Sequence, residues 1–137
     1  MPVSDSAVFD ALRHLAEEAP VGLFVRGTCM VPLLADGDRI VVERCRRYWP
    51  GDVVALRSQA GPLLVHRLLG PLRRSGSWWV LSQGDALSAP DEPVPWDALL
   101  GRVRETEDRG SLRPGWAGRA RAAGRYLRHL ARTAVGR

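Results

Sequence analysis

Lysine is absent from this chain: all 20 of its basic residues, set against 15 Asp and Glu, are arginine. The plainest source of that bias is a GC-rich coding sequence, judged against average usage. The chemical consequence is the same whatever the source, since no lysine amine is present to act as a general base. Cysteine is nearly as scarce, with only Cys29 and Cys45. Two cysteines do not make a disulfide framework. They could pair, but a lone bridge is not expected in a cytosolic chain. Long apolar runs are missing too: no stretch reaches the ~18 apolar residues of a spanning helix. The first 20 residues are interrupted by Asp5, Asp10, Glu17 and Glu18 and end in Pro20, so no secretory signal is expected. Acids, finally, are missing from residues 113–137, which carry Arg113, Arg119, Arg121, Arg125, Arg128, Arg132 and Arg137. The net charge of +5 is therefore concentrated in this tail, and the remainder is close to neutral. Such a tail points to anionic partners without making the rest of the chain a nucleic-acid binder.

What is present suits one soluble domain with a real core: 137 residues, 45% hydrophobic and 26% charged. Ser4 and Ser6 are helix-start residues. Val8, Phe9, Leu12, Leu15 and Ala16 then repeat at helical spacing, predicting an amphipathic helix that closes before Pro20. Strands are expected at Val21–Arg26, Arg39–Arg44, Asp52–Arg57, Leu63–Leu69, Ser77–Ser82 and Leu99–Thr106. Between them lie a helical turn at Leu33–Gly37, a turn at Tyr48–Gly51, a hairpin loop at Arg73–Gly76 and a long polar loop at Gly84–Pro95. Short strands with Gly/Pro turns at this spacing imply a compact, curled β-domain. Glu107–Pro114 reads as a linker. A second helix over Trp116–Val135 sets Trp116, Ala120, Ala123, Leu127, Leu130 and Ala134 on one face. The domain division is thus 1–20 for the first helix, 21–106 for the β-domain and 107–137 for the linker and Arg-rich helix.

Candidate chemistry gathers at three turn-bounded places. Gly27, Thr28, Cys29, Met30, Val31 and Pro32 bracket one thiol with glycine and proline, a stretch that leaves a strand and turns sharply. A thiol needs a base near neutral pH, because an ordinary cysteine titrates at about 8.5. His14 and His129 lie on the helices and read as solvated. His66 sits mid-strand on one face with Leu64 and Leu68, opposite Val65, Arg67 and Leu69. A base needs an orienting partner, and the loop after the tryptophan-rich strand offers Asp85 and Asp91. Each residue also has a plainer structural reading. Cys29 alone suits an inert buried thiol, His66 a core histidine bonded to backbone, and the loop acids a solvated surface.

The order of these blocks resembles that of type I signal peptidases and the related LexA-type self-cleaving repressors. Gly27–Pro32 matches the family's G-x-S-M-x-P motif with cysteine in place of serine. Leu34, Gly37 and Asp38 follow it. Gly51, Asp52, Val53 and Val54 match the glycine-aspartate that opens a strand, and Val65–Gly70 the base strand. Gly84 and Asp85 match the late glycine-aspartate box, followed by Asp91, by Val94 and Pro95, and by Gly101–Val103. The resemblance covers about residues 22–104, in order. It implies a mainly β, barrel-like signal-peptidase catalytic fold, α+β overall once the N-terminal and C-terminal amphipathic helices are counted.

Two departures define the chemistry that the resemblance implies. The base position holds His66, as in the archaeal and endoplasmic-reticulum type, rather than the bacterial lysine. In that branch the orienting aspartate lies six residues after the box aspartate, which assigns the role to Asp91 and leaves Asp85 as a support that shapes the loop. The asparagine usual after the box is replaced by Ala86. The nucleophile is the larger departure, and a Cys–His pair is a competent one for attack on a carbonyl. The expected site is therefore Cys29, His66 and Asp91, with backbone amides at Gly27 and Cys29 holding the oxyanion. Relatives can add a hydroxyl two residues before the nucleophile, where this chain has Gly27. Met30 and Leu34 are expected pocket walls, although either could equally be core. No cofactor and no metal is expected.

The implied activity is that of a signal-peptidase-like thiol endopeptidase, working in the cytoplasm without a membrane anchor. Its partner would be a precursor protein or peptide with small residues before the cut, losing a leader or pro-segment. Residues 114–137 could also touch an anionic membrane peripherally, with Trp116 and Leu127 on the buried side, or dock an acidic leader. A plain helix with a solvated basic face is equally open. No nucleic-acid partner is expected. A self-cleaving repressor would carry a DNA-binding domain upstream, and only 26 residues precede Gly27. Its Ala-Gly cleavage dipeptide occurs at Ala60–Gly61, between the blocks rather than before them. The alternative is a catalytically inactive peptide-binding module on the same fold.

Overall fold

A computed structural model of the chain describes residues 5–135, with side chains from Ser6 onward. Ser4 and Arg137 lie outside the described residues. The alternating and apolar stretches read above form strands that pair into one antiparallel sheet. Its elements are α1 (Asp5–Glu18), β1 (Val21–Phe24), β2 (Arg39–Glu43), β3 (Val53–Arg57), β4 (Leu63–Arg74), β5 (Ser77–Gln83), β6 (Val94–Pro95), β7 (Leu99–Thr106), β8 (Gly110–Ser111) and α2 (Trp116–Val135). The strand order is β1-β2-β7-β3-β4-β5-β6, with β8 paired to β7. Irregularities at Val41/Val42, Ala55/Leu56 and Leu68/Gly70 interrupt three of the ladders. Bulges bend strands and increase twist, and the sheet curls into a half-barrel. The fold is mainly β with a helix at each end.

Several local expectations change in three dimensions. β4 runs on to Arg74, because its second half pairs with β5 all the way to the hairpin. The polar loop ends in the short strand β6, and the expected linker contains β8. The helical turn starts earlier than Leu33, with Val31 N–H donating to Thr28 and Leu34 N–H to Met30. Ser6 lies inside α1, its Oγ accepting from Arg57. Of the apolar stripe of α1, Phe9 and Ala16 are buried and Leu12 packs beside them, while Val8 and Leu15 face solvent.

The largest core cluster joins Phe9 and Ala16 to Val25, Met30, Leu34, Ile40, Val42, Val53, Ala55, Leu100 and Val103. A second forms around Val54, Leu56, Leu68, Val80, Val94 and Leu99. Full burial of one such side chain contributes roughly 1.5–3 kcal/mol before entropy is counted. The third and smallest cluster, Leu69, Leu81 and Ala122, seats α2 against β4 and β5.

The face that α2 turns to the sheet is not its apolar stripe. Ala122 is buried and Tyr126 half-buried, with Tyr126 Oη donating to Pro71 O at 2.5 Å. Arg119 donates to Pro50 O, and its Nη2 lies 3.1 Å from the fully buried Asp52 Oδ1, an ion pair not aligned as a hydrogen bond. Trp116, Leu127 and Leu130 are exposed. The apolar stripe stays outside because Arg119 reaches the turn at Tyr48–Gly51, Tyr126 reaches Pro71 O, and the small Ala122 permits close approach. Among the described residues, no helix is long and apolar enough to cross a membrane.

Candidate active site

Cys29 is held by a turn that folds back on its own strand. After β1, Val25 N–H donates to Asp38 O and Gly37 N–H to Val25 O, closing the Arg26–Asp36 excursion at its base. Gly27 adopts φ +85°, a left-handed conformation open to glycine. Its N–H donates to Asp36 Oδ1 at 2.7 Å. That bond corrects one expectation, because the Gly27 amide is committed to the turn rather than open to an oxyanion. The Cys29 N–H has no partner among the described residues. The second oxyanion amide thus remains available and the first does not.

The loop after β5 closes directly on the thiol residue. Ala86 N–H donates to Cys29 O at 2.9 Å, and Asp85 N–H points at Met30 Sδ, 3.3 Å away. A Cβ on Gly84 would come within 2.8 Å of Cys29 O and 3.1 Å of Cys29 Cβ. This contact requires a glycine there, since neither backbone can give way cheaply.

On β4, His66 is 3% exposed. Its Nδ1 lies 2.5 Å from Asp91 Oδ2, so its partner is a carboxylate rather than the backbone of an ordinary core histidine. The same oxygen accepts from Ser82 Oγ at 2.9 Å, and Asp91 N–H donates to Ser82 O at 2.8 Å. Ser82 was not singled out from the sequence. Its signal lay in the register, for Ser82 pairs with Leu68, two residues from His66. In the tautomer with the proton on Nδ1, the ring donates to Asp91 and the Nε2 lone pair is left free.

Asp85 does not approach His66. Both its oxygens accept from Arg67, Nε and Nη2 each at 2.7 Å, and Arg67 Nη1 donates to Gly51 O at 2.9 Å. This fork-to-carboxylate geometry is the strong form of an ion pair. It ties the loop to β4 and to the turn before β3.

Cys29 and His66 share the walls of one cavity of about 220 Å³. Its lining is completed by Leu23 and Phe24 of β1 with Val25 and Arg26, by Leu63, Leu64 and Val65 of β4, and by Met30. Leu34 is not among its walls; it is fully buried in the main core, correcting its assignment to the pocket. Among the described residues β1 pairs only with β2, and Leu63–His66 pair only with β3, since the β4–β5 ladder begins at Arg67, so both stretches present a strand edge.

Cys45 offers a contrast within the same chain. Both cysteines are free thiols. Burial pushes the Cys45 thiol pKa up, Arg102 opposes, and Glu43 and Asp52 push the same way as burial. Its Sγ faces Glu43 O at 3.8 Å. Of the other histidines, His14 is exposed beside Glu17. His129, read as solvated, is half-buried and lines a small cavity under α2. Among the described residues, no three His, Cys, Asp or Glu side chains gather as a metal-binding group.

No protein-family model matches the chain, and no curated protein matches it significantly.

Proposed function

We propose that the chain is a signal-peptidase-like thiol endopeptidase that removes a leader or pro-segment from a precursor protein or peptide. The observation that carries this reading is the short His66–Asp91 bond on the wall of a cavity that Cys29 also lines. In the proposed cycle His66 Nε2 takes the Cys29 thiol proton, and the thiolate attacks the scissile carbonyl carbon. Asp91 holds the ring and stabilises the imidazolium. The Cys29 N–H donates to the oxyanion. As the tetrahedral intermediate collapses, His66 gives its proton to the leaving amine and a thioester remains. Water, deprotonated by His66, then releases the carboxylate and restores the thiol.

The unpaired edges of β1 and of Leu63–His66 suit a substrate bound as an extended strand, with backbone hydrogen bonds for affinity and side chains set into apolar walls. The proposed setting is the cytoplasm. The test is iodoacetamide labelling. Cys29 is expected to label at least ~10²-fold faster than Cys45 near neutral pH, and His66→Ala to bring Cys29 down to the rate of a free thiol. A Cys29 that reacts no faster than a free thiol in the wild type would sink the enzyme reading and leave a peptide-binding groove. A Cys29→Ala variant then serves as a trap for the precursor, which wild type should cut after a small residue.

A further inference from the structure

The loop that carries Asp85 and Asp91 has a second neighbour. Beside it, a concave site of about 120 Å³ is walled by Arg125, Arg128, His129 and Arg132 of α2 and closed by Gln83, Ser88 and Pro90. None of its lining residues is a carboxylate. Of the acids of the same loop, Asp85 is engaged by Arg67 and Asp91 by His66 and Ser82, and the exposed Glu92 is not among the pocket's lining residues. Arg125, Arg128 and Arg132 make no ion pair among the described residues, and α2 has no acid of its own. Burial lowers the Arg125 pKa, and Arg121, Arg67 and Arg128 lower it further against the pull of Asp85. Three arginines thus line one pocket that has no carboxylate among its lining residues.

We infer that this pocket binds acidic side chains of the polypeptide substrate, docking a segment outside the scissile bond. The inference rests on the peptidase reading above. Position favours a polypeptide: one face of the loop touches Cys29 through Ala86 and Gly84, and another forms the arginine pocket. A chain held in the pocket is therefore close to the cavity. The helix geometry disfavours a bilayer as the occupant. At 3.6 residues per turn, Arg125, Arg128 and Arg132 lie on roughly the opposite side of α2 from Leu127 and Leu130. A helix resting its exposed apolar stripe on lipid would turn these arginines away. A concave site also suits carboxylates better than the open stripe that tracks a nucleic-acid backbone.

The probe is a fluorescein-labelled peptide of alternating aspartate and alanine, followed by fluorescence anisotropy, with an asparagine-alanine peptide as the uncharged control. Wild type should bind the acidic peptide in preference to the control. The triple variant Arg125→Gln, Arg128→Gln, Arg132→Gln should bind it about tenfold more weakly. A charge-matched variant, Arg46→Gln, Arg47→Gln, Arg73→Gln, should lose little. Equal losses in the two variants, or no preference for the acidic peptide, overturn the inference. So does a triple variant that loses binding to phosphatidylserine vesicles or a single-stranded oligonucleotide more steeply than to the peptide. Iodoacetamide labelling of the same proteins separates the two proposals. Fast Cys29 labelling without arginine-dependent binding removes the pocket and keeps the peptidase. Slow labelling with intact binding removes the peptidase and keeps an acidic-peptide site.

Discussion

His66 and Arg67 are consecutive residues of β4, and each receives an aspartate from the same loop. Strand alternation sends them to opposite faces. On one face Asp91 meets His66 through a single short bond shared with Ser82. On the other Asp85 meets Arg67 through two parallel bonds, and Arg67 also holds Gly51 O. The first pair leaves His66 Nε2 without a partner among the described residues, on a side chain that lines the cavity. The second uses every oxygen of its carboxylate and fastens the loop to the sheet. Two ion pairs of similar length on one strand thus differ in what they leave available, and only the first has the form of a proton-transfer device.

Substitution at the two aspartates should separate these roles. Asp91→Asn takes away the acceptor that fixes the His66 tautomer and stabilises its charged form. Peptidase activity and the excess labelling rate of Cys29 should both fall, activity by about 10²–10⁴-fold. The melting temperature should change far less than the rate. Asp85→Asn should do the reverse. It leaves the Arg67 guanidinium, only 11% exposed, without its anion. Breaking a buried pair costs about 3–5 kcal/mol, and the residual exposure of both partners here brings the expected loss to about 2–4 kcal/mol. Chemical denaturation measures it. The labelling advantage of Cys29 should persist in the fraction that stays folded. If Asp85→Asn abolished that advantage with little loss of stability, the division of labour would be reversed.

Much of this arrangement was legible in the sequence because it follows from period and turns. Strand alternation put Leu64, His66 and Leu68 on one face, and Leu68 packs in the second core cluster with Leu64 against it. The glycine and proline breaks placed six of the strands. What was not legible depends on long-range pairing or on competition between donors. Ser82 reaches Asp91 only because β5 pairs with β4 in one register. The Gly27 amide is taken by Asp36, nine residues on, which no local rule distinguishes from an open amide. Leu34 matched a motif position yet belongs to the core, since a motif records order and not exposure. On α2 the apolar spacing does not tell which face meets the sheet, because Arg119 and Tyr126 find polar partners on the β3 and β4 side while Trp116, Leu127 and Leu130 stay exposed.

The smallest expected effect concerns the thiol outside the cavity. Cys45 has its pKa raised, first by burial and then by Glu43 and Asp52, with Arg102 opposing. At neutral pH it therefore carries less thiolate than an ordinary cysteine, and it should label more slowly than a free thiol. The same shift acts on stability with a definite sign. Below the unfolded-chain value, about 8.5, the thiol is protonated in both states and the contribution is fully present. As pH rises above that value the unfolded chain ionises first, and stability falls until the folded thiol also titrates. Cys45→Ala should remove this part of the alkaline decline while leaving Cys29 labelling unchanged. Denaturant midpoints at neutral and alkaline pH, compared between wild type and Cys45→Ala, read it directly. An alkaline slope that is identical in the two proteins would place the titration elsewhere, and the contrast between the two thiols would then rest on the cavity that Cys29 shares with His66.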